Sequence, residues 1–383
     1  MALRVDPKSV VGDFDRHRAS PHISFIEHVQ KSQLALADSL KGRKAIYLDT
    51  KYWVILRNAA IGATARVDGT ALLLRLRDLV AAGRAFCPIS ESTFAELFKQ
   101  TDPNTRRVTA TLIDELGLGV TLVPFYDRIP LELRHLIERR LGRTDRPGPQ
   151  DLIWLKASYA LGLVHQSATP FDAATELVIQ KAFFDYLWTT SMTAMVDHIG
   201  NSQSAHPDRF DALATRLNAD TADQAHELRS FVQTYDIEAA GAADIIAPIA
   251  AHVANDIAEQ ATGRAMPHDG PQWNALLTFW RAFLPEALKT DEGKDILRTT
   301  HISTCLHASL RWNKGHKYEG NDFYDFHHAQ AALGYCDVFL TERPLRAMLT
   351  ANHVALDKRY DCEVVATIGD ALAALARLGP CEK

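Results

Sequence analysis

The sequence predicts an α/β protein in which a parallel five-stranded sheet, sandwiched by helices, is interrupted by a large all-helical insertion. Three observations predict it. Five short apolar runs read as strands: Ala45–Asp49 (AIYLD), Ala85–Ile89 (AFCPI), Val120–Phe125 (VTLVPF), Asp337–Thr341 (DVFLT) and Glu363–Thr367 (EVVAT). Each is nearly continuous rather than alternating, as strands covered on both faces of a parallel sheet are. Helical patterns separate the first three runs, and roughly 200 residues with almost no β signal separate the third from the fourth.

Taken in order, the helical patterns after the first run are Tyr52–Ala60, Ala71–Ala82 and Ser90–Lys99. Ser90 reads as an N-cap, since its hydroxyl can accept from an unpaired N–H of the first helical turn. The long middle segment holds stretches such as LELRHLIERRL, DLIWLKASYALGLV and NALLTFWRAFLPEAL, punctuated by loop signals such as RTDRPGPQ. The Ala-rich run near residues 238–254 reads as helix. The expected layout is an N-terminal helical extension (1–43), a first α/β part (44–126), the helical insertion (127–319) and a second α/β part (320–383).

Composition narrows the function. The 383 residues are 47% hydrophobic and 23% charged, enough for a sizeable core. Lys+Arg 42 against Asp+Glu 47 leaves a formal charge of −5, which argues against a nucleic-acid binder working by bulk charge. It leaves room for an enzyme that gathers carboxylates around a metal. The five cysteines are odd in number and form no C-x-x-C, so reduced thiols in the cytoplasm are expected rather than a disulfide framework. The N-terminal stretch has no apolar signal-peptide core, and no membrane contact is expected.

The carboxylates fall in a pattern. Asp49 ends the first strand run, where ligands of parallel α/β sheets bind, although a helix N-cap is its plain structural reading. Glu96 lies among Phe94, Leu97 and Phe98 on the helix after the second run, and a buried Glu needs a partner or a metal. Asn321 or Asp322 is expected to cap a helix through about Leu333, with Asp322 and Asp325 on one face. That helix runs antiparallel to the strand it precedes, so its positive end lies beside Asp49 and favours ionised carboxylates. Thr341 and Glu342 close the fourth run at the same edge. Asp337, at the opposite edge, is read as structural. Clustered carboxylates repel, so the set calls for a hard cation, Mg²⁺ or Mn²⁺.

Three segments, LDTKYWVIL, ISESTFAEL and DFHHAQAALGYCDVFLTE, resemble the PIN-domain nuclease family in this order. The resemblance spans roughly residues 44–126 and 320–383. It implies a parallel α/β sandwich whose acids activate water for phosphodiester cleavage, with single-stranded RNA the favoured substrate. Asp49, Glu96 and Asp325 match the family's three main acids. Where T-x-D is common, this chain has Thr341-Glu342-Arg343, so Glu342 must substitute, and Asp322 offers a further ligand. By the same reading Asp49, Asp325 and Asp322 hold the metal. Lys51, Thr341, Arg343, Arg311, Lys314 and Lys317 are expected to contact substrate, the last three within a run that also offers Trp312 for stacking. The insertion provides a surface for a protein partner or self-association.

Other signals carry less. His301, Cys305 and His307 suggest zinc but lack an evident fourth ligand. His327 and His328 read as core or supporting residues, and Arg134–Arg146 as a solvated basic face. A haloacid-dehalogenase-like phosphatase would place a second Asp where Lys51 stands. A PIN-like binding protein without catalysis is the other alternative, which Arg343 favours.

Overall fold

The computed structural model describes residues 7–63, 67–165, 167, 169–200, 209–224, 226, 228–313 and 315–379. Over them the protein is mixed α/β and mostly helical. It divides into two compact units, Met1–Pro124 with Asp151–Ala205 and Thr367–Lys383, and Phe125–Gln150 with His206–Ala366. The segment read as one insertion, 127–319, is therefore divided between them.

In the first unit β1 (Lys44–Leu48) pairs in parallel with β2 (Ala85–Phe86), Lys44 opposite Ala85. Ile46, Tyr47 and Leu48 are fully buried, which explains the unbroken apolar run. The second run forms a strand over only two of its five residues, and Ile89 meets Thr121 through an isolated parallel bridge.

The third run departs from expectation. β3 (Val120–Leu122) pairs antiparallel with β4 (Trp154–Lys156) and meets the second run only through the Ile89–Thr121 bridge, so among the described residues the parallel ladders take four of the expected strands rather than five. DLIWLKASYALGLV, read as helix, supplies β4 and a short 3₁₀ turn, Ala157–Tyr159. Bonds from Val123 N to Ile153 O (2.7 Å) and from Ala157 N to Gly119 O (2.8 Å) extend this pairing at both ends. Backbone satisfaction across the pair outweighs the local helical pattern.

The N-terminal residues form two helices, Pro7–Arg18 and Phe25–Leu40. Ser24 and Glu27 form a reciprocal capping box at the start of the second. The helix Pro103–Gly117 ends against β2's continuation, where a Cβ on Gly117 would stand 2.7 Å from the Cys87 carbonyl oxygen. Backbone cannot retreat as a flexible side chain can. Gly117→Ala is therefore expected to cost about 1–3 kcal/mol, read as a lowered urea midpoint with an unchanged m-value. A midpoint equal to wild type would contradict the contact.

In the second unit β5 (Val338–Leu340) pairs in parallel with β6 (Glu363–Val365), Phe339 opposite Val364. The rest is helical. Phe231–Thr262, the Ala-rich run, packs Ala239, Ala243, Ala247 and Ala250 against Trp273, Trp280 and Leu284 of Pro271–Ala287. Small side chains on one face let the helix axes approach. By length and hydropathy alone Phe231–Thr262 is also apolar enough to cross a membrane. The cysteines Cys87, Cys305, Cys336 and Cys362 are buried and outside any disulfide, and Cys381 lies outside the described residues.

Candidate metal and nucleic-acid site

In the first unit Asp49 follows β1 directly and stands at the N-cap position of the helix Thr50–Ala60. Its backbone carbonyl accepts from Tyr52 N at 2.8 Å, which starts the helix. Its side chain, however, makes no capping bond, and the residue is only 6% exposed. By contrast Asp102, at the N-cap of the helix Pro103–Gly117, accepts from Thr105 N at 2.8 Å in the ordinary way. The capping explanation available to Asp49 is thus not the one its carboxylate uses.

Glu96 is brought to the same place. The hydroxyl of Thr50, the residue after Asp49, donates to Glu96 Oε2. Glu96 lies on the helix Glu91–Lys99, whose N-cap Ser90 accepts from Ser92 N at 3.3 Å, as its sequence position predicts. A buried hydroxyl cluster fixes the start of that helix on β1, since Tyr47 Oη lies 2.5 Å from Ser90 Oγ and 3.3 Å from Thr93 Oγ1. Sequence reasoning missed Thr50 and Tyr47; a hydroxyl directly after the strand-end acid was the available signal. Lys51 is half-buried in the first turn of its helix.

In the second unit Asp322 and Asp325 lie on the helix Gly320–Tyr335, both part-buried. The expected cap is displaced. Glu319 is the N-cap, and Asp322 at the third helical position accepts from Glu319 N at 2.8 Å, closing a reciprocal box. Asp322 therefore closes the cap, one turn before Asp325. Burial raises the Asp322 carboxyl above its usual range, against the Glu319 hydrogen bond. Thr341 is fully buried at the end of β5, its N–H donating to Val365 O at 2.9 Å. Glu342 and Arg343 are exposed, and Glu342 occupies an N-cap position without a side-chain cap bond.

The basic run divides. Arg311 is 9% exposed and bonds Glu238 and Gln224, so its guanidinium faces the interior. An Arg committed to a buried carboxylate is not available to a phosphate backbone, which corrects the substrate-contacting role expected of it. Lys317 is exposed, and Lys314 lies outside the described residues. Trp312 is 37% exposed and packs edge-on against His353 at 4.8 Å. Both line a cavity of about 750 Å³, with His316, Pro344 and Met348.

Three of the histidines considered from the sequence pack against aromatic rings or tyrosine hydroxyls. His327 stacks on Phe125 at 5.0 Å. His301 Nδ1 lies 2.7 Å from Tyr360 Oη, whereas His307 Nδ1 lies 3.0 Å from Tyr318 Oη, so the two rings face different partners. Arg139 and Arg140 of the basic helix pair with Glu292.

Comparison of the chain with protein-family models, with curated proteins and with solved structures found no match in any of the three.

Proposed function

We propose that the chain is a metal-dependent nuclease that hydrolyses phosphodiester bonds, with single-stranded RNA the favoured substrate. The observation that carries the reading is Asp49, a buried strand-end carboxylate at an N-cap position whose side chain does not cap. Glu96, bonded by the hydroxyl of Thr50, adds a second acid nearby, and like charges gathered in one place call for a cation. These two are the acids offered by the first unit. Asp325, with Asp322 and Glu342, are those offered by the second.

Oxygen-only ligands of this kind suit Mg²⁺ or Mn²⁺. Such an ion, when bound, lowers the pKa of its water and offsets charge on phosphate oxygens. The chain's own groups do the rest. Thr50 orients Glu96, and Lys51, Arg343 and Lys317 offer charge to a phosphodiester backbone. Trp312 offers an aromatic face at an open cavity, which suits a single strand better than a duplex. The resemblance to PIN domains selects the same acids independently of burial. The second reading, a PIN-like binding protein without catalysis, is favoured by the exposed cation Arg343 beside Glu342.

The test is cleavage of a labelled single-stranded RNA with Mn²⁺ or Mg²⁺. Asp49→Asn and Asp325→Asn are each expected to lower the rate at least about 100-fold, with far-UV circular dichroism unchanged. Wild-type rates in both variants would end the nuclease assignment. A metal-dependent rise in melting temperature without any cleavage would transfer the assignment to the binding protein.

A further inference from the structure

Away from these acids, three helices of the first unit bring two imidazoles and a carboxylate together. His17 is on Pro7–Arg18, His28 on Phe25–Leu40 and Asp185 on Ala173–Trp188. His17 Nε2 lies 2.7 Å from Asp185 Oδ2, and His28 Nε2 lies 2.7 Å from Oδ1. The three ligating atoms all lie within 4.8 Å of one another. The His17 side chain is 5% exposed, those of His28 and Asp185 17% and 18%. Both rings thus present the same nitrogen to one carboxylate, at the wall of the unit rather than in its depth.

We infer that His17, His28 and Asp185 form a binding site for one transition-metal ion of the zinc class, which staples the N-terminal helix pair to the helix Ala173–Trp188. Two neutral imidazoles and one ionised carboxylate are a ligand set of Zn²⁺, with a fourth position left to water on the open side. Nitrogen donors make it unlike the oxygen-only set proposed for Mg²⁺ or Mn²⁺.

The geometry is near what such an ion needs. Bonds of roughly 2.0–2.2 Å in a tetrahedron separate ligand atoms by about 3.3–3.5 Å. The two 2.7 Å contacts therefore open by less than about 1 Å, and the nitrogens, on rings 4.9 Å apart and edge to face, need only modest rotation.

Two cations stand near, and each has another place to go. Arg16 bonds Asp185, but its side chain is 59% exposed and already reaches Asp13 at 3.0 Å. Lys181, one turn before Asp185, donates to Ser20 O at 3.0 Å and Ile23 O at 2.9 Å. It clamps the turn between the two N-terminal helices instead of neutralising the carboxylate. The metal would complete a junction that Lys181 holds from the other side.

The test uses the full chain, stripped with EDTA and titrated with ZnCl₂ against a chromophoric chelator. One Zn²⁺ per chain and a raised melting temperature are expected. His28→Gln and Asp185→Asn should each weaken binding at least about 100-fold, since even outer-shell changes cost up to that much. Should either variant fail to fold, Co²⁺ added to the wild-type chain reads the site directly, by the visible absorption of a tetrahedral N/O complex. Two results overturn the inference. One is no zinc uptake at micromolar metal. The other is uptake of unchanged affinity in both variants, which would locate the metal elsewhere, for example at His252 and His268.

Discussion

Glu132→Ala is expected to lower the melting temperature of the second unit by roughly 6–20 °C, equivalent to about 3–5 kcal/mol. Glu132 is fully buried and accepts from Thr299 N at 3.0 Å, Thr299 Oγ1 at 2.6 Å and Tyr335 Oη at 2.6 Å. It therefore ties the helix Phe125–Arg140 to Arg298–Trp312 and Gly320–Tyr335 through one side chain. Truncation leaves those donors, and the nearby Arg128 cation, buried without this acceptor, and each orphaned group costs its desolvation. Glu132→Gln retains an acceptor oxygen and should lose clearly less. Thermal unfolding by circular dichroism decides the matter. A Glu132→Ala protein melting with the wild type would show that the cluster contributes nothing.

Between pH 7 and pH 5, His301, His307 and Glu132 together are expected to destabilise the second unit by about 2 kcal/mol, the two histidines against the glutamate. His301 is buried with its pKa lowered to about 3, by burial first and then by Lys294 and Arg359. Tyr360 Oη donates to Lys294 O at 3.0 Å, so it must accept from His301 Nδ1–H. That leaves Nε2, 3.5 Å from Cys305 Sγ, as the nitrogen a proton would have to enter. His307 is lowered to about 4 by burial and Arg311.

A histidine whose folded pKa is depressed contributes stability above its unfolded value of 6.5. That stability is lost as pH falls from there toward the folded value. Over 1.5 pH units each ring loses about 2 kcal/mol. Glu132 acts oppositely. Burial raises its pKa to about 7, against the Thr299 and Tyr335 bonds, so its contribution is fully present below 4.5 and lost as pH rises through 7. It returns about 2 kcal/mol over the same interval. Two histidines outweigh one glutamate, and Glu132→Gln should make the acid limb steeper. Chemical denaturation at pH 7, 6 and 5 measures this; stability that rises on acidification would refute the histidine assignment.

The contribution of sequence and of tertiary contact can be separated residue by residue. Unbroken apolar runs located β1, β5 and β6 because a strand buried on both faces needs nothing else to declare itself. β4 had no such signal. Trp154, Leu155 and Lys156 are three residues inside a helical periodicity, and only β3's need for a backbone partner makes them a strand. The cap expected at Asn321 or Asp322 lies two or three residues earlier because Glu319, an uncommon N-cap, closes its own box.

By itself the sequence determined the α/β class, the apolar strands, the Ser90 cap and the acids worth testing. These depend on side-chain type and on neighbours within a few positions. Tertiary structure alone decided that the Asp49 side chain does not cap, that Arg311 turns inward to Glu238, and that Asp185 meets His17 and His28. The last two outcomes rest on partners 73 to 168 positions apart, whose meeting costs loop-closure entropy that only the packed core repays.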